Sequence, residues 1–146
     1  MAVFKSDQIT KLAAVPSSGT LDVDEGGGRV RAFGFKFTVP VGGVAIADTV
    51  QLCKIPAGAR ILGGVEIHDA LAAAGGTIAL GDGTTAAKYM AATVVAAAGR
   101  TDFANTRALN CREKLAAELT LTATVAVAAL LAGAVLEGHV LVQLAD

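Results

Sequence analysis

The segment Val30–Val39, with the sequence VRAFGFKFTV, decides the fold class of this chain. Phe33, Phe35 and Phe37 alternate with smaller or polar residues, and successive side chains of a β-strand point to opposite faces. Aromatic and β-branched residues are also the types that favour strands. The alternation therefore predicts a half-buried strand that ends at Pro40 and contains three of the five phenylalanines.

The rest of the chain repeats short apolar segments separated by glycine- and proline-containing turns. Further strands are predicted over Thr49–Ile55, Arg60–His68, Gly76–Leu80, Leu119–Val127 and Leu136–Leu144. The last two are expected to pair as a long hairpin. Strands at this spacing indicate an antiparallel sandwich or barrel rather than β-α-β units. The predicted fold is all-β: an antiparallel β-sandwich of jelly-roll type over residues 29–146.

The middle of the chain is less regular. Thr84–Val95 predicts a short helical turn followed by a strand, because its alanines favour helix whereas its C-terminal Thr and Val residues favour strand. Residues 97–110 predict a loop that opens with the turn Gly99–Asp102. One helical turn is predicted around residues 112–117.

The predicted strand that ends at His68 contains the pair Gly63-Gly64, which indicates a bend or bulge. Simple alternation places Ile67 on the inner face of this strand. It places Glu66 and His68 on the polar face, where they are expected to be solvated.

Residues 1–28 predict an extended N-terminal arm ahead of the sandwich. Pro16 and the run Gly26–Gly28 interrupt any regular pattern. A fully extended segment of 28 residues spans at most about 90–100 Å, which would reach a neighbouring subunit. A floppy terminus is the alternative interpretation.

The composition favours assembly with other protein surfaces. Hydrophobic residues make up 53% of the chain and charged residues 17%, and there is no Trp. Much of the apolar content is Ala, which buries little area per side chain, so further burial between subunits is expected. The net charge of −1 lacks the basic surplus of nucleic-acid-binding proteins.

Membrane insertion and secretion are not expected. The segment Leu119–Leu136 is uncharged, but its threonines alternate with apolar residues at a period of two, which indicates strands and not a membrane-spanning helix. Met1–Lys5 lacks the pattern that opens a secretory signal peptide.

Residues with chemical potential show no catalytic or metal-binding spacing. His68 and His139 are the two histidines, and a metal site needs three or four converging ligands. The serines all lie in the predicted arm, and no glycine run matches a phosphate-binding loop. We therefore predict no enzyme activity, no cofactor and no metal. Cys53 and Cys111 are expected to be reduced thiols, although their number would allow one disulfide.

Several stretches together resemble a known family. They are Lys54–Val65 (KIPAGARILGGV), Thr77–Gly83 (TIALGDG), Lys88–Ala92 (KYMAA), Leu119–Thr124 (LTLTAT) and Leu130–Gly133 (LLAG). In this order they are similar to the jelly-roll decoration, or cement, proteins of tailed bacteriophages. The resemblance implies synthesis in the host cytoplasm and a location on the outer capsid surface of the virion. It also implies the major capsid protein as partner, a dimer or trimer of the chain itself, and no catalysis.

A protein that clamps a capsid needs surfaces that contact its neighbours. The contact candidates are Phe4, Leu12, Val15 and Arg29 in or beside the arm, and Arg100, Phe103 and Arg107 in the predicted loop. Two alternatives are another virion component, such as a tail or fibre protein, and a carbohydrate-binding sandwich. The second usually presents Trp or Tyr to sugar rings, and this chain has one Tyr.

Overall fold

A computed structural model describes residues 2–5, 30–111 and 113–144. These residues form nine strands: β1 (Val3–Lys5), β2 (Val30–Thr38), β3 (Thr49–Ile55), β4 (Arg60–His68), β5 (Thr77–Gly81), β6 (Met90–Val94), β7 (Gly99–Phe103), β8 (Leu119–Ala126) and β9 (Val135–Gln143). A short 3₁₀ helix covers Arg107–Leu109. Within the described residues, no helix has the length and apolar character needed to cross a membrane.

Two sheets pack face to face as a sandwich. One has the strand order β1-β3-β8-β5-β6, and the other has the order β2-β9-β4-β7. Apart from β1, the first strand pairs with the last and so on inwards: β2 with β9, β3 with β8, β4 with β7, and β5 with β6. Four antiparallel strand pairs rolled in this way form a jelly roll, which confirms the predicted fold class.

The core lies between the two sheets. Phe33, Phe35 and Phe37 of β2 are each at most 5% exposed, as the alternation of the opening segment predicts. The alternation of β9 is confirmed as well, since its buried residues are Leu136, Val140 and Val142. Both strands present one apolar face inwards and a more polar face outwards.

The predicted hairpin of the last two strands is wrong. β8 lies between β3 and β5 in one sheet, whereas β9 lies between β2 and β4 in the other. The connecting loop crosses from sheet to sheet, and its residue Leu130 is buried and bridges to Val44 and Ala72. The β8–β9 loop is therefore buried against two other loops, and the two strands that it joins do not pair with each other.

The middle of the chain also differs from expectation. Part of the predicted loop at 97–110 forms β7, because Gly99–Phe103 pairs antiparallel with β4. In the region predicted as a short helical turn followed by a strand, residues 84–89 form turns and the strand is β6. Near residues 112–117 the described residues include a bridge between Lys114 and Arg60 instead of a helical turn.

A β-bulge in β4 reverses the alternation that the sequence predicts. The register with β9 shifts between Ile61 and Gly63, where Gly63 has a φ of 147°. The bulge is therefore confirmed, but its effect on the following residues was missed. Glu66 and His68 face the interior, with exposures of 0% and 5%, and Ile67 faces outwards.

The start of the predicted arm belongs to the sandwich. β1 pairs in parallel with Thr49–Gln51 of β3, and the backbone N–H of Ala2 donates to Oδ1 of Asp48 at 2.7 Å. The ring of Phe4 contacts that of Phe37 edge to face, with 6.5 Å between centroids. The remainder of the predicted arm, residues 6–28, lies outside the described residues, as does residue 29.

Candidate interaction surfaces

The structure separates the predicted contact residues. Arg100 is exposed on β7, Phe4 is half-buried against the core, and Phe103 is fully buried. Arg107 is the first residue of the 3₁₀ helix. Three further candidates lie outside the described residues: Leu12, Val15 and Arg29. Among the candidates that the structure describes, it therefore brings no group together at one site.

Phe103 is corrected from a contact residue to a core residue. It ends β7 opposite Gly64 of β4, and its ring occupies the space above that glycine. A Cβ atom on Gly64 would lie 2.2 Å from Cζ of the Phe103 ring, a separation that real contacts do not reach. The glycine thus makes room for the ring, and the ring is unavailable to a partner.

The solvent side of the sheet β2-β9-β4-β7 is the surface on which Arg100 lies, and we call it the outer sheet face. Its residues include Val30, Ala32, Gly34, Lys36, Thr38, Val65, Ile67, Arg100, Asp102, Glu137, His139 and Leu141. Ile67 and Leu141 are exposed hydrophobic residues, at 45% and 37%. The bulge in β4 turns Ile67 outwards, which is why the sequence pattern did not identify it.

Charged pairs flank the apolar part of the outer sheet face. Lys36 Nζ lies 3.9 Å from Glu137 Oε2 near one edge, and Arg100 Nη2 lies 3.2 Å from Asp102 Oδ1 on the edge strand β7. All four side chains are well exposed, so the pairs contribute little to stability. Ile67 lies between Glu137 of β9 and Arg100 of β7, so apolar and charged side chains are interspersed on this face.

At one end of the sandwich, a charged cluster joins the β5–β6 turn to the segment before β8. Lys88 Nζ lies 3.2 Å from Asp82 Oδ2 and 2.9 Å from Glu113 Oε1, and the Tyr89 hydroxyl donates to Glu113 Oε2 at 2.9 Å. Partial burial opposes protonation of Lys88, but its hydrogen bonds to the two carboxylates raise its pKa above the ordinary value. One lysine and one tyrosine hydroxyl satisfy the two carboxylates, so the cluster links the β5–β6 turn to the segment before β8.

Two titratable side chains are enclosed in the sandwich. Nδ1 of His68 lies 2.5 Å from Oε1 of Glu66, and Oε2 of Glu66 has no hydrogen-bond partner among the described residues. Burial raises the pKa of Glu66, and the nearby imidazole opposes that shift. Both side chains are shielded from solvent. The expectation of a solvated His68 is therefore wrong. Among the described residues, no group of three or more His, Cys, Asp or Glu side chains is placed to hold a metal ion.

The two thiols are unpaired in the structure, as expected. Cys53 is buried in β3, and burial raises the pKa of its thiol to about 12. Cys111 is half-buried, and its Sγ donates to the carbonyl oxygen of Leu62 at 3.5 Å. At neutral pH the Cys53 thiol is protonated and therefore a poor nucleophile.

Comparisons with known proteins connect this fold to phage capsids. A chain from the capsid of Ralstonia phage GP4 superposes with a TM-score of 0.77 and 21% identity, covering 99% of this chain and 99% of its own length. A chain from the capsid asymmetric unit of cyanophage Pam1 superposes with a TM-score of 0.65 and 19% identity, covering 89% of this chain and 99% of its own. No family model matches the sequence, and no curated protein matches it either. At these identities the likeness is one of fold.

Proposed function

We propose that this chain is a virion structural protein that binds the outside of a phage capsid and stabilises it by clamping neighbouring capsid subunits. The observation that carries the proposal is the agreement in fold, over 99% and 89% of this chain, with chains from two phage capsids. In this role the protein acts through surfaces and performs no catalysis. Its partner is the major capsid protein.

The outer sheet face is the proposed contact with the shell. It combines exposed apolar side chains, Ile67 and Leu141, with the charged pair Arg100–Asp102 at its edge. Such a surface forms a contact of modest strength. On a capsid the same contact repeats many times, and a linked second contact raises the effective concentration of the first. Many weak contacts can therefore hold the protein on the shell.

The arm is proposed as the second contact element. The contact candidates that the sequence offers in the arm are Leu12 and Val15. To test them, residues 7–28 can be replaced by a Gly/Ser segment of equal length, which leaves β1 in place. We expect this replacement to lower the occupancy of the protein on shells. Unchanged occupancy would remove the arm from the proposal. A melting temperature equal to that of the wild type is the control for an intact sandwich.

The clamping role is tested on shells assembled from the major capsid protein of the same phage. We expect added protein to raise the temperature at which the shells disrupt. The Ile67→Asp variant should lose this effect, because it replaces an exposed apolar side chain of the outer sheet face by a charge. Val94→Asp is the matched control, since Val94 is exposed at 59% on β6 in the other sheet. Shells that disrupt at the same temperature with and without the wild-type protein would contradict clamping.

The alternative of a carbohydrate-binding module is disfavoured by the placement of the aromatic rings. Sugar-binding modules present exposed rings for stacking. Tyr89 is 0% exposed. All five phenylalanines lie in the core or pack against it: Phe4, Phe33, Phe35, Phe37 and Phe103.

The other alternative, a tail or fibre component, differs from a decoration protein in its partner. Such a component would bind purified tails and leave empty shells undecorated.

A further inference from the structure

The buried pair Glu66–His68 on β4 faces the edge strand β7. In the register of the two strands, Glu66 lies opposite Thr101 and His68 lies opposite Gly99. Side chains directly opposite each other on one face of an antiparallel pair are neighbours. A Cβ atom on Gly99 would lie 3.2 Å from Nε2 of His68, so the imidazole is beside that strand. Both members of the pair therefore lie against β7.

Strand β7 is the part of the sheet that can separate at the lowest cost. It is an edge strand, and β4 is its one partner among the described strands. An inner strand such as β9 pairs on both sides and would lose two ladders of hydrogen bonds. Segments with few contacts open locally, at a lower free energy than the whole domain. Opening of β7 would admit water to the buried pair.

The net charge of the pair depends on one proton. With Glu66 protonated, or with its proton passed to the imidazole, the pair is neutral. Without that proton a negative charge is buried, and Oε2 of Glu66 has no hydrogen-bond partner among the described residues. A buried charge without full hydrogen bonding is costly. The neutral pair is therefore the form that suits the closed sandwich.

The direction of the pH dependence follows from the surroundings of Glu66. Burial raises the pKa of Glu66, and the imidazole of His68 and the side chain of Thr101 oppose that rise. A group whose pKa is raised on folding contributes stability that is lost as pH rises through the folded pKa. Rising pH therefore weakens whatever structure encloses the pair.

Other charged residues near the pair lie on the opposite face of the sheet. On the strands that flank β4 these are Arg100, Asp102, Glu137 and His139, all of them on the outer sheet face. Asp69 follows His68 directly, but its Oδ2 accepts the N–H of Val135 at 3.0 Å. These groups are therefore not placed to replace the proton of the pair.

The other buried titratable side chains among the described residues are Asp48, Cys53 and Tyr89. Asp48 accepts the N–H of Ala2 at 2.7 Å. Burial raises the pKa of the Cys53 thiol to about 12, and burial together with Glu113 raises the pKa of Tyr89, so both are neutral at neutral pH. The charge of the interior near β7 is therefore set by Glu66 and His68.

We propose that the Glu66–His68 pair is a proton-controlled latch that holds the edge strand β7 on the sandwich. While the pair is neutral, β7 closes against it. Loss of the proton buries a negative charge, and separation of β7 is the least costly way to let water reach Oε2. Because Arg100 and Asp102 move with β7, the order of the outer sheet face depends on pH. The inference concerns the chain by itself, and its test is independent of the proposed function.

Amide hydrogen exchange of the full chain, resolved by residue with NMR from about pH 5 to about pH 9, tests the latch. Protection factors remove the intrinsic pH dependence of exchange. We expect the protection of the β7 amides to fall by about tenfold or more over this range, at no more than about tenfold per pH unit for one proton. The amides of β1, an edge strand of the other sheet, should not follow this fall.

Two variants and a matched control identify the titrating group. Glu66→Gln cannot lose the proton, so its β7 amides should keep their protection as pH rises. Glu137→Gln changes an exposed glutamate on the neighbouring strand β9 and should behave as the wild type does. Thr101→Val removes a group that favours the carboxylate form, so it should move the loss of protection to higher pH. Circular dichroism verifies the fold of each variant.

Three results would each overturn the inference. The first is a wild-type β7 whose protection is independent of pH or changes only as much as that of β1. The second is a folded Glu66→Gln variant with the same loss of protection as the wild type. If Glu66→Gln does not fold, the deciding result is that of Thr101→Val, and an unchanged midpoint of the loss would contradict the latch.

Discussion

Nδ1 of His68 lies 2.5 Å from Oε1 of Glu66, with both side chains buried between the sheets. Because burial raises the pKa of Glu66, the folded protein holds the Glu66 proton more tightly than the unfolded chain does. The contribution of this group to stability is therefore complete below the unfolded pKa of about 4.3, and it is lost as pH rises through the folded pKa.

Glu66→Gln should remove this pH dependence. We expect the free energy of unfolding of the variant, relative to wild type, to increase with pH above about 4.3, by at most about 1.4 kcal/mol per pH unit. Denaturant titrations at several pH values measure the difference. Parallel pH profiles for the two proteins would show that Glu66 does not titrate differently in the folded state.

Gly64→Ala should destabilise the sandwich. The added methyl group would meet the Phe103 ring at 2.2 Å and the carbonyl oxygen of His139 at 2.7 Å, so ring and strand must shift. Overpacking of this kind costs about 1–3 kcal/mol. The control is Gly42→Ala, whose methyl group has no neighbour within 4 Å. Equal unfolding free energies for the two variants would contradict the close packing of Phe103.

The two thiols should differ in reactivity. Cys53 is fully buried and its pKa is raised to about 12, so it should resist alkylation in the folded protein at pH 8. Cys111, which is half-buried, should react first. Mass spectrometry of peptides after timed alkylation follows both sites. Rapid labelling of Cys53 without denaturant would show that β3 opens readily.

Phe4→Ala should loosen β1. Its ring packs edge to face on Phe37, and truncation of a partly buried aromatic residue in such a pair is expected to cost about 1–2 kcal/mol. Lys5→Ala on the same strand is the control, because Lys5 is exposed. Hydrogen exchange of the Thr49–Gln51 amides reports on the strand pairing. Unchanged exchange in the Phe4 variant would mean that the ring does not hold β1 in place.

Which segments form strands was predictable wherever one face of the strand is buried along its whole length. In β2 the alternation of three phenylalanines with small and polar residues corresponds directly to burial. Strand partners were not predictable, because alternation says nothing about which strand lies alongside. β8 and β9 are consecutive in the sequence, yet they lie in different sheets and pair with other strands.

The burial of the contact candidates was predictable only in part. Arg100 is exposed, but Phe103, three residues later, was taken for a surface residue because its segment looked like a loop. Ile67 was assigned to the interior because a bulge reverses all side chains that follow it, and the sequence marked only the glycine pair. The apolar loops that join β2 to β3, β4 to β5, β6 to β7 and β8 to β9 are far apart in the chain, so only the fold brings them together.

The most direct test of the account is to add the purified protein to empty, preassembled shells of the same phage and to sediment them. The account predicts saturable co-sedimentation, and cryo-electron microscopy of the pelleted shells should show the protein at regular positions on their outer surface. Protein that stays in the supernatant at every concentration, or that is found only inside the shells, would contradict it.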